Sequence, residues 1–218
     1  MASLIDIIGT GLIWLGLALL PFILWPIAVL IQPGILHRAA SRLIKLQDRV
    51  SGIAISVAAS LAFFIILIQL LSVLLRYVFG LSFSWLTDSI IFSFASIFML
   101  GAAGTLKSDG HVRVDIFRRY FSPKLSAIVE LAGSLLFLVP ICLLVIYSSA
   151  GLVARSWSIF EPFNESDGLP VRYLFKSLVP VFAVLMINQG LSQATKAALI
   201  LRGYRSASDT AHNQDATL

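Results

Sequence analysis

One cysteine, three histidines and a thin supply of charge bound what this chain can do before any motif is sought. Cys142 stands alone in an apolar run, so it has no partner for an intrachain disulfide and belongs to no Cys-x-x-Cys pair. His37, His111 and His212 all fall in predicted loops or the tail, which excludes bis-histidine haem ligation inside a bundle. The sequence contains no P-loop, nucleophile elbow or Ser-His-Asp set. Charged residues make up 12% of the chain, where a soluble domain carries roughly a quarter. The net charge of +5 is not a nucleic-acid footprint, because no basic stripe is interleaved with aromatics and the cations sit between apolar runs.

What is there is hydrophobic: 58% of 218 residues, with a mean hydropathy of +0.93. Five apolar segments stand out, at about Leu4 to Ile31, Ile53 to Leu75, Trp85 to Leu106, Leu125 to Val153 and Tyr173 to Leu201. A hydrocarbon core about 30 Å thick needs about 20 such residues per crossing. Lipid offers backbone groups no partners, and alternating ten-residue strands are missing, so the spans must be helices. The predicted fold is an all-α integral membrane bundle of about five transmembrane helices. Residues 1–34 form an N-terminal span, 35–50 an amphipathic interfacial helix, 51–203 a four-span domain and 204–218 a disordered cytoplasmic tail. The first segment is too long, and its start too poor in cations, for a cleaved signal peptide. Pro21, Pro26, Pro140 and Pro180 predict kinks within or near spans.

Lysines and arginines set the orientation. Arg38, Arg42, Lys45, Arg49, Lys107, Arg113, Arg118, Arg119, Lys124, Lys196, Arg202 and Arg205 fall on one side; only Arg76, Arg155, Arg172 and Lys176 fall on the other. The bias predicts an external N-terminus and a cytoplasmic C-terminus. Within 35–50, Arg38, Arg42, Lys45 and Arg49 recur at helical spacing opposite Leu36, Ala39, Ala40, Leu43, Leu46 and Val50. That pattern fits a helix lying in the headgroup layer against anionic phospholipid; a solvated linker is the plainer alternative.

Ionisable groups near spans are costly enough to be functional candidates. Asp88 follows Trp85 by three residues, at a predicted helix start where a carboxylate suits the dipole. It can cap that helix, pair with Arg76 or meet another subunit. His111 and Asp115 can share a helix face, but Asp109 is the sole third ligand nearby, so no metal site is expected. The commoner use of "GAAGTLKSDGHVRVDIFRR" (101–119) is a short rigid inner loop. In its "GAAG", small residues let helices approach closely. The outer loop 155–172 sets Glu161, Glu165 and Asp167 among Trp157, Phe160 and Phe163, either as a partner surface or as interfacial anchors. Internal repeats and an ion cage of oxygen ligands, expected of a transporter acting alone, are missing. Polar residues in the spans come down to a few such as Gln69, Asn188 and Gln189.

The stretch 74–117 resembles the small, DctQ-type membrane subunit of tripartite ATP-independent periplasmic (TRAP) transporters. The matching pieces are Arg76-Tyr77-Val78-Phe79, Trp85 with an acid three residues on, Gly101-Ala102-Ala103 and His111-Val112-Arg113-Val114-Asp115; the likeness continues through "SDGLPVRYLFKSLVP" to Gln189. The resemblance implies a bacterial inner-membrane scaffold, not an enzyme. Its partners would be a large elevator-type subunit carrying substrate and sodium and a periplasmic solute-binding protein delivering an organic acid. Arg76, Trp85, Asp88, Gly101, His111, Arg113, Asp115 and Gln189 then become structural or subunit-contact residues, and Glu161, Glu165 and Asp167 candidates for docking the binding protein. No cofactor is implied on this chain. Family members usually have four spans and a glutamate pair after the Trp, whereas this chain adds an N-terminal segment and carries Thr87-Asp88. The alternative from another class is a small intramembrane enzyme or electron-transfer subunit, against which the histidine placement weighs.

Overall fold

The computed structural model describes residues 10, 14, 23–108, 121–162 and 167–204. A short helical stretch, 23–31, leads through Gln32 into four long helices: α1 (Pro33–Phe79), α2 (Ser84–Lys107), α3 (Pro123–Ser158) and α4 (Arg172–Leu201). All four are long and apolar enough to cross a membrane. No strand occurs among the described residues, as the bundle fold requires. Most of the predicted N-terminal span, and most of the tail, lies outside the described residues. Successive helices alternate in direction. One end of the bundle therefore gathers the start of α1, the end of α2, the start of α3 and the end of α4; the other holds the α1–α2 turn and the α3–α4 loop.

The predicted interfacial helix 35–50 and the span after it are one uninterrupted helix of 47 residues. Nothing between Gly34 and Phe79 can break it, since Gly52 is the only glycine and no proline intervenes. Pro33 starts it at a position where no N–H is needed. Gly80 ends it at φ 69°, with the Leu81 N–H reaching back to the Leu75 carbonyl at 3.0 Å. Ala40, Ile44, Gln47, Ser51, Ala54 and Ala58 form its buried seam, spaced alternately by four and three.

α3 contains one π-turn, Ser134–Leu138, just before Pro140. Beyond it Val139, Cys142 and Ile146 pack on Ala183, Ile187 and Leu191 of α4. α4 runs through Pro180 without a break and touches all three other long helices. Every residue from Gln189 to Leu199 is buried, so this helix is central rather than one-faced. At its end Ala198 and Leu199 meet Ala40 and Ile44 of α1 and Val29 of the 23–31 stretch. Arg202 Nε donates to the Leu30 carbonyl at 2.6 Å, tying the end of the bundle to its N-terminal addition.

Candidate functional site

Polar side chains inside the spans gather where α1, α2 and α4 meet. Asp48 is the centre. Its carboxylate lies 2.9 Å from Lys196 Nζ and accepts from Ser192 Oγ at 2.7 Å and Gln189 Nε2 at 3.3 Å. Gln189 uses its other end to accept from Ser51 Oγ at 2.6 Å. Asn188 Nδ2 donates to the Gln47 carbonyl, and Gln193 Nε2 to the Leu106 carbonyl at the end of α2. The spacing of α4 explains the cluster: Gln189, Ser192, Gln193 and Lys196 follow one another by three, one and three, which puts them on one helical face. Asp48 and Ser51 are likewise three apart on α1. With Lys196 8% exposed and Asp48 23%, the two charges face each other, and the carboxylate accepts further hydrogen bonds from Ser192 and Gln189, the kind of support a buried pair requires. Gln47 Oε1 remains buried without a partner among the described residues.

The second cluster is at the other end. The Asp167 carboxylate accepts the Ser84 N–H at 3.0 Å, and the Asp88 carboxylate, one turn into α2, accepts the Leu169 N–H at 3.0 Å. The α3–α4 loop and the start of α2 thus cap each other reciprocally across more than eighty residues. The Ser84 N–H holds the Asp167 carboxyl below the usual carboxylate range. Glu161 pairs with Lys176 and with Arg172 and accepts from Ser156 Oγ; the Lys176 hydrogen bond, then that of Ser156, lowers its pKa. Phe160 precedes it at φ 44°, in the left-handed region usually taken by glycine after a helix. The Glu161 N–H closes that turn on the Ser156 carbonyl, and Phe160 is held in a ring cluster with Trp157 and Tyr173.

Several sequence candidates are therefore placed. Arg76 and Asp88 do not pair: Arg76 Nη2 donates to Ser82 Oγ at 3.2 Å, whereas Asp88 serves Leu169. Trp85 is part-exposed, its ring tilted against Phe83. Gly101 faces Ala58 of α1, and one turn on Gly104 is crossed by Ile55, which is the close approach the small residues permit. Arg38, Arg42, Lys45 and Arg49 are all exposed. His111, Arg113, Asp115 and Glu165 lie outside the described residues. Sequence reasoning found Gln189 but missed Asp48, Ser51, Ser192 and Lys196. Asp48 as the lone acid of a cationic helix was the available signal.

The family model described as "Tripartite ATP-independent periplasmic transporters, DctQ component" matches residues 65–199, more than half the chain. No curated protein and no solved structure matched.

Proposed function

Since the chain belongs to the DctQ component family of tripartite ATP-independent periplasmic transporters, a multi-pass protein class of the bacterial inner membrane, we propose that it braces a large sodium-coupled subunit without itself moving solute or catalysing a reaction. In this reading the large subunit carries the organic acid and the sodium, and a periplasmic binding protein delivers the substrate. What supports a bracing role is that the polar groups inside the spans bond to one another: Asp48, Gln189, Ser192 and Lys196 cross-link α1 to α4, and Gln193 ties α4 to α2. The loop cluster of Glu161 and Asp167, with Glu165 between them in sequence, is the proposed docking area for the binding protein, on the external face that the lysine and arginine bias gives it. Anionic phospholipid is the further partner, at the Arg38–Arg49 stripe. Proteoliposomes holding this chain alone should show no sodium-driven organic-acid uptake. Adding the large subunit and loaded binding protein should produce it, and uptake by the isolated chain would overturn the bracing role.

A further inference from the structure

A helix of 47 residues is about 70 Å long at about 1.5 Å per residue. The bilayer is only about 40–45 Å thick including its headgroups. Either the start of α1 projects into water as a rod, or the helix leans. Its surface decides between them. At about 100° per residue, the buried seam from Ala40 to Ala58 centres on one direction, and Arg38, Arg42, Lys45 and Arg49 centre almost opposite it. Between the two runs a stripe of exposed apolar residues: Ile35, Leu46, Val50, Ile53 and Val57. Ile35 is 79% and Leu46 58% exposed, yet they lie in line with Ile53 and Val57, which belong to the span. The stripe runs from the span to Leu46 and reaches Ile35 through the exposed Ala39, which carries the apolar surface of the span to the helix start. The cations flank it, turned away from the bundle, and none of the four is in an ion pair among the described residues. Asp48, the single acid of 35–50, faces α4 instead.

We propose that α1 crosses the membrane at a steep lean, roughly 50° if its whole length stays within the bilayer and headgroups, with its first third descending through the headgroup layer to the acyl boundary. Its exposed apolar stripe enters the acyl boundary, and Arg38, Arg42, Lys45 and Arg49 hold the phosphates of anionic phospholipids. The geometry matches that of interfacial helices, in which an apolar strip sinks and flanking cations reach the headgroups. Here the interfacial helix is rigidly joined to a span, so the lipid contact sets the angle of the span.

This rests on the phospholipid reading and not on solute uptake, so a chain inactive in transport assays still passes or fails here. The test uses the full chain, with Cys142→Ser, in nanodiscs of phosphatidylcholine with and without phosphatidylglycerol. Spin labels at Ile35→Cys and Leu46→Cys should collide with oxygen more than with a water-soluble nickel complex, as at the acyl boundary. Nickel-dominated collisions at both sites would overturn the lean. Native mass spectrometry should show phosphatidylglycerol retained over phosphatidylcholine. The fourfold Arg38→Gln, Arg42→Gln, Lys45→Gln, Arg49→Gln variant should lose that preference about tenfold or more, while Arg155→Gln at the opposite end keeps it. Because the four side chains point away from the bundle, the variant should keep the wild-type helical signal and thermal transition. Unchanged preference in that folded variant would overturn the headgroup contact. So would a stripe shielded from reagents only when the large subunit is added, which would make it a protein interface.

Discussion

Asp48 and Lys196 show how much rests on a few side chains. Removing one partner of a fully buried pair costs about 3–5 kcal/mol; the 23% exposure of Asp48 puts this pair at or below the lower end. The two single changes should not be equal. Lys196→Met leaves the carboxylate its Ser192 and Gln189 donors and some access to water, whereas Asp48→Asn takes the carboxylate from a lysine that is 8% exposed. Thermal unfolding in detergent should therefore show Asp48→Asn as the more destabilising, and the double variant as milder than the sum. Strict additivity would mean that the two charges act separately. This cluster was half legible in the sequence. Gln189 is conspicuous as an amide inside an apolar run, but its partners lie about 140 residues away in the chain, and a single sequence carries no trace of such pairing. Asp48 is hidden among cations that read as a surface stripe. For Asp88 the nearest opposite charge, Arg76, was the obvious partner, yet the backbone of a loop eighty-one residues on serves the carboxylate better at a helix start.

Among elements, the reciprocal cap between the α3–α4 loop and α2 has a definite pH response. Glu161 and Asp167 titrate below their ordinary values when folded. Their contribution is therefore complete above the unfolded carboxylate pKa of about 4 and is lost as the pH falls through the lowered folded values. Protease resistance of the loop, measured in detergent, should stay level from neutral pH to about 5 and drop in stronger acid; Asp167→Asn should have a weakened loop already at neutral pH. Resistance that holds unchanged through the acid range would deny the carboxylates this role. The α1–α2 seam gives a second test. A Cβ at Gly104 would come 2.8 Å from Ile55 Cβ, an atom fixed by its own backbone; at Gly190 it would come 2.7 Å from Leu138 Cδ2, the far end of a side chain that can turn. Gly104→Ala should cost about 1–3 kcal/mol. Gly190→Ala should come near neutral, since up to about 1 kcal/mol of helix propensity offsets the contact. Equal losses in thermal unfolding would mean that both seams yield alike. The "GAAG" sequence announced close packing but not its partner. The continuity of α1 was legible too, in the lack of any breaker, although the change from charged to uncharged sequence near residue 51 suggests a boundary.

For the whole molecule, the alternation of the four helices puts Ser82 and Ser108 at opposite ends of α2. With Cys142 replaced, Ser82→Cys should react with an impermeant thiol reagent in intact cells and Ser108→Cys should not, as the cation bias requires. The reverse pattern would turn the protein over and move the Glu161 cluster to the cytoplasm. Span number and class followed from hydropathy because lipid permits so few backbone solutions. Helix neighbours did not follow, because apolar faces in lipid carry no contrast between inside and outside. The π-turn of α3 illustrates what such contrast would have missed. Ser134 and Val139 are both buried although five residues apart, one more than a plain α-helical turn would bring round to the same side. The additional residue works as a phase adjuster. Tightening the turn into plain α-helix with no residue removed would rotate everything beyond by about 100°, swinging Cys142 and Ile146 out of the seam with α4 and turning Ile141 and Val145 toward it. The two halves of α3 are thus cut to different clocks, and the wide turn is the gear that lets both mesh with α4.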